Sequence, residues 1–460
     1  MGAALADIGH LRWLVAAVLI LTTSCVSVQD RSADRERSHV PGPLAAGPIR
    51  QVTSEGENVK PFILARPGGG AYLAWARRDD DRTSVQFAVS RDGAEFGQPV
   101  CLSADGMHLD LGAESGPHAA VGRDGAIHVV WVAGLAKAPS ASHAKHGHSS
   151  ESRGRKGPPR RPGNLNIYLA TSRDAGKTFS APKKVNDDAD GPEHRFPTVA
   201  VDARGAVCVA WLDKRNQSDA RPDFARVYLA RSTDGGRTFA PNVDATSGQE
   251  HGICHCCKLT LAIHPDAGIF IAFRDALDDV RDISIVRSQN NGGTFGKPEL
   301  IENTRWVLPG CPMDGPSLAF DRAGNLHAVW MTRGNVRGAP AVGPATEDES
   351  KVLYRRFDPQ KQAGSDLLFL AAGSHPRVAV DAAGDAYVVW KQDGLHLAQV
   401  PANATRGVQR MQVGLPETAP NYPSLATTPE GRLLVAWQQQ DAEDRTQIMT
   451  MTSGLRDTWE

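Results

Sequence analysis

Four of the seven cysteines in the sequence stand in two short segments whose composition suits metal or sulfur chemistry. Three lie between His251 and Lys258, and the fourth, Cys311, follows a glycine 54 residues after the last of them. Clustered thiolates and imidazoles are ligands of zinc and copper, whereas an even number of cysteines in an oxidising compartment favours disulfides. Two alternatives stay open: a disulfide from Cys311 to one of the trio with no cofactor, or a bound copper or zinc ion. The candidate metal ligands are His251, Cys254, His255, Cys256, Cys257 and Cys311.

A dense run of charge follows, since six of the nine residues from 274 to 282 are Asp or Arg. Such a run is typical of a solvated turn with local ion pairs. The alternative is a pocket, because an Arg fork binds a carboxylate in a bidentate manner and a nearby Asp can transfer protons. The pocket would draw on Arg274, Asp275, Asp278 and Arg281. We expect further candidates to enter from the same face of the fold, namely Glu193, Arg195, Arg377 and Tyr422.

These residues stand between the copies of a repeat that runs through the chain. Each copy has an apolar strand, a turn and a second apolar strand that ends in an aromatic residue, and these aromatic residues recur 47 to 80 residues apart. Near-continuous apolar runs predict strands buried on both faces, and the spacing suits one four-stranded blade per copy. The sequence therefore predicts an all-β fold, a β-propeller of seven blades by repeat count. The aromatic ends are Trp75, Trp131, Trp211, Phe273, Trp330, Trp390 and Trp437.

Closure of the ring is predicted where the two ends of the repeat region meet. Residues 49–52 resemble the short outer strands of other copies, such as Lys184-Val185. We expect them to complete the last blade beside residues 447–451, because closure removes a free sheet edge.

A second motif interleaves with the repeat. Ser172–Phe179 and Ser232–Phe239 read Ser-x-Asp-x-Gly-x-Thr-Phe, Ser288–Phe295 has Asn in place of Asp, and Ser90–Phe96 is degenerate. We predict a hairpin turn in which the Asp accepts N–H groups and the Gly takes a positive φ. The motif resembles the Asp-box, or BNR repeat, of sialidases, and the chain is similar in this respect to the neuraminidase superfamily.

That resemblance implies six blades rather than seven and, if the chain is an enzyme, an exo-glycosidase acting on sialic acid or another acidic sugar. Sialidases hold the substrate carboxylate with three Arg. They use a Tyr nucleophile that a Glu activates, and an Asp as acid/base. The resemblance implies catalytic roles for Tyr422, Asp275, Asp278 and Glu193, and substrate binding by Arg195, Arg274, Arg281 and Arg377.

The first copy of the repeat departs from the sialidase pattern. Sialidases open their first blade with Arg-Ile-Pro, but this chain has Lys60-Pro61 at that place. The alternative function is therefore a non-catalytic surface propeller that binds a glycan, a protein or a metal.

The beginning of the chain predicts export. The apolar run from Leu14 to Leu21 is too short to span a bilayer and fits a signal peptide. Ser24-Cys25 resembles a lipobox, so we expect a lipid on Cys25. We assign residues 1–25 to the signal peptide, 26–47 to a flexible tether and 48–460 to the propeller, with a low-complexity insert at 137–163. The expected location is the membrane surface, facing the periplasm or the cell exterior.

The charge balance narrows the class of partner. The chain has 51 basic and 52 acidic residues, a formal net charge of -1, so no overall charge attracts it to nucleic acid. We expect a monomer that binds a glycan or another small acidic ligand and meets the membrane through its lipid anchor alone.

Overall fold

The computed structural model describes residues 46–80, 82–112, 114–135, 164–189, 191–221, 223–336, 350–359, 363–364, 367–402 and 407–453. The predicted signal peptide, almost all of the tether and the insert at 137–163 lie outside the described residues. Within these ranges the chain forms strands and two 3-10 turns, Leu277–Asp279 and Pro416–Thr418. No helix in the described ranges has the length and apolar character needed to cross a membrane.

The strands form seven antiparallel sheets in chain order, counted over the described residues. The first strand is β1 (Ile49–Gln51). Blade 1 contains β2 (Glu57–Ala65), β3 (Ala71–Asp79), β4 (Arg82–Ser90) and β5 (Val100–Cys101). Blade 2 contains β6 (Met107–Leu109), β7 (His118–Val121), β8 (Ile127–Leu135), β9 (Asn166–Ser172) and β10 (Lys183–Lys184). Blade 3 contains β11 (His194–Val201), β12 (Val207–Asp213), β13 (Arg226–Ser232) and β14 (Val243–Asp244).

The remaining four blades repeat this arrangement. Blade 4 contains β15 (Thr260–His264), β16 (Gly268–Arg274), β17 (Ile283–Ser288) and β18 (Glu299–Leu300). Blade 5 contains β19 (Ser317–Phe320), β20 (Leu326–Thr332), β21 (Lys351–Asp358), β22 (Ala363–Gly364) and β23 (Leu368–Ala372). Blade 6 contains β24 (Ser374–Val380), β25 (Ala386–Gln392), β26 (Gly394–Val400) and β27 (Gln409–Gly414). Blade 7 contains β28 (Asn421–Thr427), β29 (Leu433–Gln440) and β30 (Thr446–Ser453), together with β1.

The second strand of each blade is buried on both faces. Its aromatic end is at most 2% exposed in every blade, from Trp75 in blade 1 to Trp437 in blade 7. Seven apolar clusters each join two neighbouring blades; one, for example, combines Phe87 of blade 1 with Ile127 of blade 2. This stacking explains why the sequence shows continuous apolar runs instead of alternation.

The ring closes through the N-terminal strand, as predicted. Ile49 pairs with Met451 and Gln51 pairs with Met449, so β1 supplies the fourth strand of blade 7. The count of seven blades is confirmed, and the six blades implied by the sialidase resemblance are wrong for this chain. Seven copies of the apolar strand pair are present, and each lies in its own sheet.

The Ser-Asp turns lie between the third and fourth strands and carry the predicted hydrogen bonds. In blade 2, Asp174 Oδ1 accepts from the Thr178 main-chain N–H at 2.9 Å, and Asp174 Oδ2 accepts from the Thr178 hydroxyl at 2.6 Å. The Ser172 hydroxyl donates to Asp174 Oδ1 at 2.8 Å and accepts from the Gly176 N–H at 2.9 Å. Phe179 then packs edge-on against Phe87 of blade 1, so each turn also contacts the neighbouring blade.

Candidate functional site

Four of the seven inner strands begin with the same distortion. Lys60, Phe196, His375 and Tyr422 each precede a proline and have φ between 48° and 58°. At each of them the pairing register with the second strand shifts, which marks a β-bulge. A bulge redirects the side chain it carries, and a left-handed φ at a non-glycine residue is an uncommon and costly conformation. The bulges therefore give these four inner strands a common way to redirect the side chain that precedes the proline.

A cavity of about 180 Å³ lies where the inner strands converge, and all seven blades contribute residues to its wall. It therefore lies on the axis of the propeller, and we call it the axial cavity. Its polar lining residues are Lys60, Glu114, His118, Lys258, Thr260, Ser317, Arg377, Tyr422 and Ser424.

A buried ion pair forms the anionic part of the axial cavity. The Arg377 guanidinium donates to Glu114 Oε1, and Glu114 Oε2 accepts from the Gly315 N–H at 3.0 Å. Burial acts to raise the pKa of Glu114, but the charges of Arg377, His375 and Lys258 outweigh it and lower that pKa to about 2. Glu114 is therefore ionised at neutral pH.

Two lysines face this carboxylate. Burial lowers the pKa of Lys60 to about 7, although the charge of Glu114 opposes the shift. Burial also lowers the pKa of Lys258 to about 7, and the charge of Arg377 adds to the effect. Burial thus makes both amines easier to deprotonate than an exposed lysine, which suits them to proton transfer near neutral pH. With both protonated, the cavity holds three cations against one lining carboxylate.

Aromatic rings complete the wall. The Lys60 ammonium lies 3.0 Å from the centre of the Tyr422 ring, a cation–π contact. The His375 ring packs in a T-shaped arrangement against the Tyr422 ring, with 5.4 Å between the two ring centres. Burial raises the pKa of the Tyr422 phenol, and the charge of Glu114 raises it further, so the phenol is protonated at neutral pH.

Of the residues predicted from the sequence as site residues, Arg377 and Tyr422 line the axial cavity. Arg274 is 1% exposed and donates to the main-chain oxygens of Asp314 and Met331, both at 2.9 Å. Arg281 donates to Gly310 O and to Asp279 Oδ1, both at 3.0 Å. These two guanidinium groups therefore hold loops together in the structure.

The predicted carboxylates lie in other places. Asp275 accepts from His251 at 2.9 Å and from the Ser284 hydroxyl at 3.1 Å, in a separate cavity of about 420 Å³ that Asp278 also lines. Glu193 forms ion pairs at 3.4 Å with Arg195 and with Lys214 on blade 3. The axial cavity and these two groups are distinct sites in the fold.

The cysteine-rich loops meet as predicted. Cys256 and Cys311 form a disulfide with a Cα–Cα separation of 6.2 Å, so Cys311 contacts one of the trio. The Cys254 sulfur lies 3.5 Å from that of Cys256 and 3.4 Å from that of Cys257. The hydrogen bond between Cys254 and Cys257 lowers the pKa of Cys254 to about 7, while burial raises that of Cys257.

Blade 3 carries a second buried polar cluster, formed by Asp188, His194, Asp213 and Arg215. His194 Nε2 lies 3.1 Å from Asp188 and 3.4 Å from Asp213, and Arg215 donates to Asp213 at 2.8 Å. Burial acts to lower the pKa of His194, but the hydrogen bonds to both carboxylates raise it to about 9. The cluster is an internally satisfied ion-pair network.

Sequence reasoning missed Glu114, His118 and Lys258 as lining residues. Lys60 was noted only as a departure from the sialidase pattern. The sequence held a signal for several lining residues, because a residue directly before a proline recurs at the start of the inner strands. Glu114 has no such signal, since it reaches the axis from the loop before β7 and finds Arg377 263 positions later.

No protein-family model matches the chain, and no curated protein matches it in sequence. Solved structures match in fold. The NanB sialidase from Streptococcus pneumoniae aligns with a TM-score of 0.50 at 10% identity, over 89% of this chain and 70% of that one. The intramolecular trans-sialidase from Ruminococcus gnavus gives 0.49 at 12% identity, over 89% and 98%. The α-L-arabinofuranosidase of Fusarium graminearum gives 0.47 at 13%, over 89% and 98%.

At these identities the likeness concerns the fold. The fold and the site together define the class: a seven-bladed β-propeller with a small, basic axial cavity built on proline-linked bulges.

Proposed function

We propose that the axial cavity binds the carboxylate of an acidic sugar. The observation that carries this proposal is the convergence of Lys60, Lys258 and Arg377 on one cavity whose lining contains a single carboxylate, Glu114. The two lysine amines and the positive charge of Arg377 are suited to an anion, and Ser317 and Ser424 add hydroxyl groups for sugar oxygens. The cavity volume of about 180 Å³ accommodates the carboxylate end of a sugar, and the rest of the sugar would extend out of the cavity.

Calorimetric titration tests the binding. We expect N-acetylneuraminate or galacturonate to bind, and the methyl ester of the same sugar to bind at least tenfold more weakly, roughly the loss of one charge-assisted hydrogen bond. Lys258→Gln should weaken binding of the acid. The matched control is Lys183→Gln, which removes an exposed lysine of β10. Equal affinity for acid and ester would contradict the proposal.

A second candidate function is hydrolysis of the glycosidic bond of that sugar. Tyr422 favours it, because the phenol lines the same cavity as two amines with pKa values near 7. In this mechanism the Tyr422 oxygen bonds to the anomeric carbon as the glycosidic C–O bond breaks; one lysine takes up the phenolic proton and the other, protonated, gives a proton to the leaving oxygen. Water then hydrolyses the tyrosyl–sugar bond, which releases the sugar and restores the phenol. Release of a fluorophore from a sialoside tests the activity, and turnover that survives Tyr422→Phe unchanged would show that this mechanism is wrong.

We further propose that the protein is exported and anchored through a lipid on Cys25, with residues 26–47 as the tether. The apolar run before Ser24-Cys25 supports this proposal. Mass spectrometry of the N-terminal peptide would test it, since Cys25→Ser should abolish the diacylglyceryl mass and release the protein from membranes.

A further inference from the structure

Four sulfur atoms from two loops form one cluster next to the axial cavity. Cys254, Cys256 and Cys257 come from the loop that ends at Lys258, and Cys311 comes from the loop before β19. The sulfur–sulfur distances within the trio are 3.4, 3.5 and 4.0 Å. The sulfur atoms of Cys254, Cys256 and Cys311 lie within 4.8 Å of one another.

The separations within the trio are close to those between three corners of a metal–thiolate tetrahedron. Four sulfur ligands at the usual zinc–sulfur distance of about 2.3 Å stand about 3.8 Å apart, and the distances within the trio, 3.4 to 4.0 Å, bracket that value. The two nearby imidazoles are engaged elsewhere. His251 Nε2 is bonded to Asp275 at 2.9 Å, and His255 Nε2 faces Asp223 at 3.6 Å.

Burial and charge also suit a metal. The three cysteines of the trio are at most 8% exposed, whereas Cys311 is exposed and gives a route of entry. Zinc with four thiolates carries two negative charges, which a buried site must balance. Two buried arginines are linked to this loop: the Cys254 N–H donates to the Arg274 main-chain oxygen at 3.0 Å, and the Arg274 guanidinium donates to the main-chain oxygen of Arg281. Arg281 Nη1 is buried and has no hydrogen-bond partner among the described residues.

We propose that Cys254, Cys256, Cys257 and Cys311 form a closed tetrathiolate site for zinc when the Cys256–Cys311 disulfide is reduced. A dithiol reductant gives two electrons and two protons to the disulfide and is itself oxidised to a disulfide. The four thiols of the protein then lose four protons as one Zn²⁺ binds. The site holds the loop of Lys258 to the loop of Asp314, so metal occupancy couples to the wall of the axial cavity.

Cobalt(II) substitution tests the site on the full chain. Protein reduced with a phosphine under anaerobic conditions should bind one Co²⁺, with the visible bands of tetrahedral cobalt and a sulfur-to-cobalt charge-transfer band in the near ultraviolet. One equivalent of Zn²⁺ should erase these bands. Protein with the disulfide intact should show none of them, because two of the four donors are then unable to bind.

Single substitutions identify the ligands. Cys257→Ser should weaken Co²⁺ binding by more than about tenfold, since loss of a ligand costs more than loss of a residue that only hydrogen-bonds to a ligand. Cys101→Ser, at an exposed cysteine outside the cluster, is the matched control and should bind as the parent does. Circular dichroism of each variant shows whether the fold is retained.

Two results would overturn the proposal. One is reduced, folded parent protein that binds no Co²⁺. The other is cobalt spectra that are the same in Cys257→Ser and in the parent, because either result places the metal away from these sulfurs. Neither bears on sugar binding at the axial cavity, which is measured separately with the disulfide intact.

Discussion

The two ends of the blades use polar residues in opposite ways. At the Ser-Asp turns, each side chain bonds within its own turn, as Asp174 does with Ser172 and Thr178. In the axial cavity, one blade must find its partner in another, as Glu114 of blade 2 does with Arg377 of blade 6. The turns repeat along the chain, whereas the axial residues differ from blade to blade.

This difference separates architecture from chemistry. A turn whose polar groups hydrogen-bond to one another needs no partner from another blade. The same turn can therefore recur in any blade. Buried charges that depend on distant partners cost free energy unless paired, and their shifted pKa values are typical of functional sites. Three changes, from the largest expected effect to the smallest, test whether the two ends differ in this way.

The largest effect is expected from Glu114→Gln. The substitution leaves Arg377, Lys60 and Lys258 without their buried counter-charge, and breaking a buried ion pair costs about 3 kcal/mol or more. Urea unfolding of the parent and the variant measures the loss in the free energy of unfolding.

The matched control for Glu114→Gln is Glu302→Gln. That substitution removes an ion pair of 3.2 Å with Arg355 in which both side chains are about one-third exposed. Its cost should stay below about 1 kcal/mol. Equal losses in the free energy of unfolding would show that the axial ion pair contributes no more to stability than a partly exposed pair.

A smaller, pH-dependent effect is expected from Lys258→Met. The folded pKa of Lys258, about 7, lies below its unfolded value of 10.5, so protonation opposes folding. The penalty is fully present below pH 7 and is relieved as the pH rises toward 10.5. Lys258→Met removes it and should be more stable than the parent at pH 7, with the gap shrinking by about 2 kcal/mol between pH 7 and pH 9.

The parent and the variant must be compared at each pH, because His194 also titrates over this pH range. Its folded pKa of about 9 exceeds the ordinary value of 6.5, so its contribution is present below pH 6.5 and is lost as the pH rises through 9. This loss opposes the gain from Lys258 in the parent but is common to both proteins. A gap that does not change with pH would mean that Lys258 titrates normally.

The sequence was sufficient to predict the repeated parts of the molecule. Apolar runs that end in an aromatic residue predicted the blades, and the resemblance of residues 49–52 to outer strands predicted ring closure. Both are local patterns that recur, so each copy supports the reading of the others. The blade count by repeats was confirmed, and the count carried over from sialidases was not.

The axial cavity was harder to predict from the sequence, because its lining residues differ from blade to blade and lie far apart in the chain. Tyr422 and Arg377 were found through resemblance, but Glu114 and Lys258 gain their roles from burial and from partners in other blades. Arg274 illustrates the converse, since its charged segment left a solvated turn or a pocket open, while its guanidinium bonds to main-chain oxygens. Residue type predicted charge, but only the fold decides whether that charge faces a ligand or the backbone.

The smallest effect is expected from Asp174→Asn at a Ser-Asp turn. Blade 4 already has Asn290 at this position, where its Oδ1 accepts from the Thr294 N–H at 2.9 Å and its amide donates to the Thr294 hydroxyl at 2.9 Å. The hydrogen bonds of the turn lower the pKa of Asp174 to about 2, yet the geometry needs an acceptor oxygen and not a charge. The melting temperature should therefore stay within about 2 °C of the parent. Asp174→Ala, which removes the acceptor, should lower it further, and an Asn variant as unstable as the Ala variant would show that the turn depends on charge after all.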